Sequence, residues 1–454
     1  MRADAQVDVA VVGAGPAGMA AAVAARAAGA SVVLVDEYAA PGGQIWRRNF
    51  SEIGDVAPSS LPRDGRELCR RLAGSGATVL SGTSVWAARP PSGPHDGMGP
   101  MHSLLVSGPD GETGRIFARS VVLATGAYDR PLAFPGWTLP GVMTAGGAQA
   151  LAKGQGVLPG TRVLLAGAGP FLLPVAKQLR LGGAHVVAVV EATRRREWLA
   201  AAPRMAAHPG KLGAYLGYRA RLPTTRFLWG HVLVRADGEE AVERATIAAA
   251  LGDWSPRAGS EREFEVDAVC TAYGFLPSVD LARTLGCELT GDAVAHDQDM
   301  QTTVKGVFVA GEAAGIGGAG MARVEGELAG ACAADLAADV AALRRRRARA
   351  ASFATILEDL FGRRSGLAEL AGADTVLCRC EDVTAGEVDA AGAASPAALK
   401  IMTRCGQGPC QGRVCERMIA ERLGTPARFG ARAPVRPIPL GALMDAATDS
   451  SSPA

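Results

Sequence analysis

Two βαβ patterns, opened by glycine turns at Gly13 and Gly167, and five cysteines gathered between Cys378 and Cys415 predict an α/β chain. The expected architecture is two nested Rossmann-like dinucleotide-binding domains followed by a small C-terminal helical domain built around the cysteines. A length of 454 residues agrees, since roughly 100–200 residues make one domain.

The elements follow in order. Residues 7–12 (VDVAVV) are a buried strand by composition; a glycine turn and an alanine-rich helix to about Ala28 lead to a second strand, 31–36 (SVVLVD). The same pattern returns with 162–166 (RVLLA), a helix to about Leu181 and 185–190 (HVVAVV). Apolar runs of this length bounded by turn residues read as strands of a parallel sheet. Residues 88–115, rich in Gly, Pro, Ser and Asp, predict a surface loop and hairpin within the first domain. After Val340 the sequence turns Ala/Arg-rich and helical. The expected bounds are 1–126 for the first part of the first dinucleotide domain, 127–275 for the second domain and 276–340 for the return of the first. A helical linker at 341–365, the cysteine domain at 366–430 and an extension at 431–454 ending in a disordered tail complete the chain.

The first turn is Gly13-Ala-Gly15-Pro-Ala-Gly18. Gly13 permits the tight turn, Gly15 lets a pyrophosphate approach the backbone, and Gly18 lets the helix pack on the strand. Asp36 ends the second strand, where a carboxylate accepts ribose hydroxyls, with Glu37 beside it. Three further segments resemble the flavin motifs of the glutathione-reductase-like superfamily. They are Gly42-Gly43-Gln44, which would run along the flavin; VVLATGA (121–127) with Thr125 and Gly126; and GVFVAGE (306–312) with Gly311 and Glu312. Glu312 stands where that superfamily usually has Asp. Together these segments imply FAD.

The second turn, Gly167-Ala-Gly169-Pro-Phe-Leu172, lacks the third glycine, and Glu191 stands as its ribose acid. A leucine at that place is expected to force the helix away from the strand or rotate its entry. NAD(P) binding is therefore doubtful, with a vestigial fold or a structural ADP-like nucleotide as the other readings. Arg194–Arg196 would suit a 2′-phosphate, but an exposed charge run is the default.

Cys378-Arg-Cys380, then 29 residues, then Cys410-Gln-Gly-Arg-Val-Cys415 place four thiols in two close pairs. Zinc and iron–sulfur clusters both take such ligands. The C-x-C pair is less usual for structural zinc, and a flavin in the same chain makes a one-electron acceptor chemically sensible, so a 2Fe–2S cluster is the favoured reading. Cys405 reads as a bystander near it. The remaining Cys69, Cys270, Cys287 and Cys332 are scattered, and no C-x-x-C pair lies near either turn, which argues against a dithiol reductase.

A formal charge of +2 and the lack of a basic stripe argue against nucleic-acid binding. The run Arg344–Arg347 reads as a solvated helix end. No stretch reaches the ~18 apolar residues of a membrane span, and nine cysteines without a secretory leader suggest a cytoplasmic protein. No catalytic residue can be assigned. The six histidines, His95, His102, His185, His208, His231 and His296, fall outside the flavin motifs.

Five segments carry a more specific resemblance. They are GGQIWR from Gly42, FPGWTLPGVMTAGGAQALAKGQGVLPG (134–160), GAGPFLLPVA (167–176), CTAYGFLPS (270–278) and GPCQGRVC (408–415). They resemble the FAD-binding alpha-type subunits of bacterial heteromeric amine and imino-acid dehydrogenases, a family that includes opine oxidase, proline and hydroxyproline dehydrogenase and hydrogen cyanide synthase subunits. The C-terminal part is similar to the bacterioferritin-associated ferredoxin type of 2Fe–2S domain. The resemblance implies cluster ligation by Cys378, Cys380, Cys410 and Cys415. It also implies a partner subunit similar to glycine and D-amino-acid oxidases. It allows, besides, a small subunit of ferredoxin-like type and a further flavin at a subunit interface. Within it the chain would relay electrons from an amino acid, imino acid, opine or glycine. The alternatives are a self-sufficient NAD(P)H reductase feeding its own cluster, and a non-catalytic docking scaffold. Cys405 departs from the small apolar residue expected there.

Overall fold

A computed structural model describes residues 5–91, 100–335, 340–425, 429 and 432–448. His95 and the tail beyond residue 448 lie outside the described residues. The chain forms two compact units, the first from residues 1–128, 276–354 and 431–454, the second from 129–275 and 355–430. The second unit thus combines the expected second dinucleotide domain with the cysteine domain, and the boundary after residue 354 falls inside the helix Val340–Phe361.

In the first unit a seven-stranded sheet runs Thr78–Ser81, Val32–Asp36, Ala5–Val12, Thr113–Leu123, His102–Ser107, Ser84–Arg89, with Val307–Val309 added to Thr113–Leu123. Thr113–Leu123 has a divided edge. Its start pairs antiparallel with His102–Ser107, and its end pairs parallel with Val307–Val309. The central strands are buried on both faces, as parallel strands under helices must be, which explains the unbroken apolar runs at 9–12 and 32–35. Helix Pro16–Ala27 packs against helix Gly318–Ala333 at backbone distance. A Cβ on Gly326 or Gly330 would run into the carbonyls of Ala17 and Ala21.

The arginine run is exposed at Arg345 and Arg346, as a solvated helix end would be, but Arg344 and Arg347 are half-buried and ion-paired. Arg344 binds Asp299 through two nitrogens at 2.7 and 2.6 Å, Arg346 reaches Glu327 at 2.7 Å, and Arg347 reaches the buried Glu325 at 2.9 Å. The extension after 431 is tied to this unit too, through Val435 N–H on the Trp86 carbonyl at 2.8 Å and the helix Leu440–Thr448.

In the second unit a parallel sheet orders Phe227–Trp229, His185–Glu191, Arg162–Gly167, Ala268–Ala272 and Val142–Thr144. An antiparallel sheet of His231–Asp237, Arg244–Ala249 and Arg262–Glu265 adjoins it in sequence. The cysteine segment supplies a two-stranded ribbon, Val376–Cys378 with Val383–Thr384, and helices Ala385–Ala390, Pro396–Thr403 and Glu416–Leu423. It has no separate core. Leu377, Leu399, Ile419 and Phe429 join Phe134, Trp137, Ile247 and Trp254 in one apolar cluster. The Trp137 indole N–H donates to the Val376 carbonyl at 2.6 Å.

Candidate functional site

The first glycine turn gathers the predicted flavin residues around the N-terminus of helix Pro16–Ala27. Gly13 has φ +100°, and a Cβ there would enter the Ala124 carbonyl beside Thr125. A Cβ on Gly18 would overlap the Gly13 carbonyl, so helix and strand meet at a distance only glycine allows. Gly15 differs. Its φ of −71° is ordinary, and a Cβ would meet only Gly43 Cα at 4.0 Å. Gly42 donates to the Ala14 carbonyl at 2.9 Å, and a Cβ on Gly311 would press on Ala17.

Asp36 is buried and accepts the N–H groups of Ala14 and, at 2.8 Å, Tyr38. Burial raises its carboxyl above the ordinary range, with those two N–H groups opposing. A carboxylate has about four acceptor sites, so two remain for ribose hydroxyls. Thr125 Oγ1 donates to the Ser278 carbonyl at 2.6 Å, and Ser278 N–H to the Gly126 carbonyl at 2.9 Å, which ties the two crossings of the domain together. Glu312 accepts the Gly318 N–H at 2.7 Å, and its carboxyl is pushed up to about 7, chiefly by burial, with the charge of Glu325 adding.

Other predicted residues are engaged elsewhere. Glu37 pairs with Arg436 at 3.1 Å, a partner nearly the whole sequence away. Gln44 receives Arg47 at 2.6 Å and donates to the Tyr38 hydroxyl at 2.7 Å, and the Arg47 guanidinium lies 4.4 Å from the Tyr38 ring centre. Tyr38 and Arg436 carried no motif signal, and Ser278 stood only in the segment 270–278 with no role assigned to it. The residues that are present fit FAD: an unobstructed second glycine at a helix N-terminus suits a pyrophosphate, and the buried acid at the end of the second strand suits a ribose.

The second turn is built differently. The strand continues through Gly167, positive φ (+100°) falls on Gly169 instead of the first glycine, and the helix begins only at Leu172. In the first turn the helix begins at Pro16, directly after the second glycine. Leu172 is buried in an apolar cluster with Leu173, Val175 and Leu165. The helix proper therefore starts two residues later than in the first turn, after a tighter turn in which the Leu172 and Leu173 N–H groups donate to the Gly169 and Pro170 carbonyls at 3.4 and 3.2 Å. The space above Gly169 is taken by aromatics. A Cβ on Gly169 would lie 3.3 Å from the Phe361 ring, and that ring packs edge-on to Trp198 at 5.3 Å. Glu191 is buried and accepts the N–H groups of Gly169 and Thr193, each at 3.0 Å, the same kind of pair that Asp36 accepts in the first turn.

The cysteines form a second centre. Cys378, Cys405 and Cys415 are buried with their sulfurs all within 4.8 Å of one another. Cys380 and Cys410 lie nearer the surface and touch each other. Gly406 N–H points at Cys378 Sγ at 3.5 Å. The structure thus groups two of the four expected ligands with Cys405 and sets the other two side by side. The three converging thiols of the trio fit an all-sulfur metal centre.

Residues 7–334 match the model of the family described as pyridine nucleotide-disulphide oxidoreductase. The chain is 35% identical to an opine oxidase subunit of Rhizobium meliloti, over 96% of this chain and 98% of that protein. It is 31% identical to hydrogen cyanide synthase subunit HcnB of Pseudomonas aeruginosa, over 97% and 99%. Its fold resembles the crystal structure of L-proline dehydrogenase from P. horikoshii, with a TM-score of 0.68 and 22% identity over 98% of this chain and 80% of that one. Among the described residues no helix is long and apolar enough to cross a membrane.

Two outcomes follow from the first turn. Gly15→Ala should fold normally, because its φ and its surroundings accept a methyl group, yet bind FAD at least about tenfold more weakly through crowding of the pyrophosphate. Flavin absorbance per chain after gel filtration, beside a thermal melt, checks both halves. The second outcome concerns Glu312 in FAD-free protein. A carboxyl whose folded value is raised stabilises the fold below its unfolded value near 4.5 and loses that contribution as pH rises through about 7. The melting midpoint should therefore fall across that window, and Glu312→Gln should flatten the fall.

Proposed function

We propose, for a chain that belongs to the pyridine nucleotide-disulphide oxidoreductase family and is an FAD-dependent oxidoreductase, that it is the electron-handling subunit of a heteromeric dehydrogenase or oxidase. The substrates are amino acids, imino acids such as proline or hydroxyproline, opines or glycine. The observation that carries this is the similarity to the opine oxidase subunit, which runs the length of both chains and includes the cysteine segment. Cys378, Cys380, Cys410 and Cys415 hold a 2Fe–2S cluster, with Cys405 beside them. Bound FAD exchanges electron pairs and a 2Fe–2S cluster single electrons, so the two together serve a relay. Gly13, Gly15 and Gly18 shape the phosphate site, Asp36 takes the ribose, and Glu312 borders the ribityl–phosphate region.

The substrate pocket belongs to a partner flavoprotein similar to glycine and D-amino-acid oxidases. Carboxylate substrates need a cation and a positioned base close to the flavin ring. The described segments that should line it, 42–48 and 311–325, are mostly small and apolar, apart from Arg47, Arg48, Glu312, Arg323 and Glu325. The setting is the cytoplasm, where free cysteines persist.

NADH is a poor candidate for the electron source, since the helix of the second turn starts late, at Leu172, and the Phe361 ring packs against Gly169. Under anaerobic conditions neither NADH nor NADPH should bleach the flavin at a rate of catalytic size, about 1 s⁻¹ or more; rapid bleaching would instead identify a self-sufficient reductase. Dye-linked oxidation of proline, hydroxyproline, glycine or an opine should appear only on co-expression with the partner subunit. The same turnover from the purified single chain would refute the partner requirement.

A further inference from the structure

The cysteine centre holds one thiol more than a 2Fe–2S cluster can use. Each iron of such a cluster is tetrahedral, with two bridging sulfides and two thiolates, so four cysteines act in two pairs. Here the five sulfurs divide into a contacting pair, Cys380 and Cys410, and a buried trio, Cys378, Cys405 and Cys415. The pair would serve one iron, and the trio, with one member in surplus, would serve the other.

The trio's geometry gives no reason to treat Cys405 as an onlooker. Its sulfur lies 3.9 Å from Cys415 Sγ, a separation two thiolates on one tetrahedral iron can adopt. Its side chain has no solvent exposure. Its backbone is fixed between Arg404 (φ +64°) and Gly406 (φ +78°), and Phe429 packs over Gly406 and Gly412, so the sulfur is held toward the site by a rigid loop. Cys378 at the end of a strand and Cys415 at the start of helix Glu416–Leu423 are no better anchored.

We infer that Cys405 is an interchangeable ligand of the inner iron, able to take the coordination place of Cys415 or Cys378. This rests on the 2Fe–2S reading above. The exchange is redox-neutral: the bond from iron to the Cys415 sulfur breaks, the bond to the Cys405 sulfur forms, and the proton of the Cys405 thiol passes to the released Cys415 thiolate. The outer iron has no such reserve, because Cys380 and Cys410 stand apart from any further thiol of the trio.

The test uses the full chain purified without oxygen, with iron and acid-labile sulfide counted and the reduced protein examined by electron paramagnetic resonance. Wild type should carry about two of each per chain; zinc without sulfide would refute the 2Fe–2S reading itself, and the inference with it. Given a wild-type cluster, Cys415→Ala should retain it with a shifted resonance signal. Cys410→Ala should lose it. The double variant Cys405→Ala/Cys415→Ala should fall to less than about a tenth of wild-type iron. Alanine is used because serine could itself bind iron. Cys378→Ala provides a second reading of the same reserve if Cys415→Ala fails to fold. Loss of the cluster from both Cys415→Ala and Cys378→Ala overturns the inference, and so does a cluster that survives equally well in the double variant.

Discussion

The first unit depends on backbones touching where side chains would normally keep them apart. Gly18 sits against the Gly13 carbonyl, and Gly326 and Gly330 sit against the carbonyls of Ala17 and Ala21. One short helix, Pro16–Ala27, is thereby pressed between the strand that precedes it and the helix Gly318–Ala333, which returns from the far end of the domain. This placement brings the N-terminus of the helix, Asp36 and Gly311 to one spot although they are distant in sequence. Protein interiors are dense enough that one added methyl group is felt, so these contacts fix the position of the phosphate site as well as the stability of the unit. They also explain part of the high glycine count, 58 residues.

The second turn shows what happens when the contact is given up. Leu172 replaces the third glycine, and positive φ moves from the first glycine to the second. The helix starts later, while Glu191 keeps a pair of backbone N–H contacts like that of Asp36. The scaffold survives because strand pairing and the apolar cluster around Leu172 do not need the turn.

The legible part of the sequence was the part with local causes. Strands buried on both faces read as apolar runs, and the GxGxxG turn reads as a helix start because steric exclusion acts within six residues. The effect of Leu172 was foreseeable in kind, since a side chain at that place must displace the helix. What did not read was set by distant partners. Arg436 finds Glu37, and Ser278 finds Thr125, with nothing local to announce either pair. The run Arg344–Arg347 looks like an exposed helix end because its partners, Asp299, Glu325 and Glu327, are elsewhere in the chain. The grouping of Cys405 with Cys378 and Cys415 has the same origin. Spacing puts Cys410 and Cys415 in one motif, but the fold of the loop, with left-handed residues at 404, 406 and 411, decides which sulfurs point inward.

The shared core of the cysteine segment bears on how electrons would reach and leave the cluster. Leu377, Ile419 and Phe429 are buried among residues of the second dinucleotide domain, and Trp137 anchors the Val376 carbonyl. Cysteines seated in such a core are held by the same dense packing as the sheet beneath them. Burial of the trio keeps water from the inner sulfurs, while exposed Cys380 leaves the outer edge near solvent. Reduction potential rises and falls with hydrogen bonds to sulfur and with exposure, and the Gly406 N–H aimed at Cys378 is such a bond.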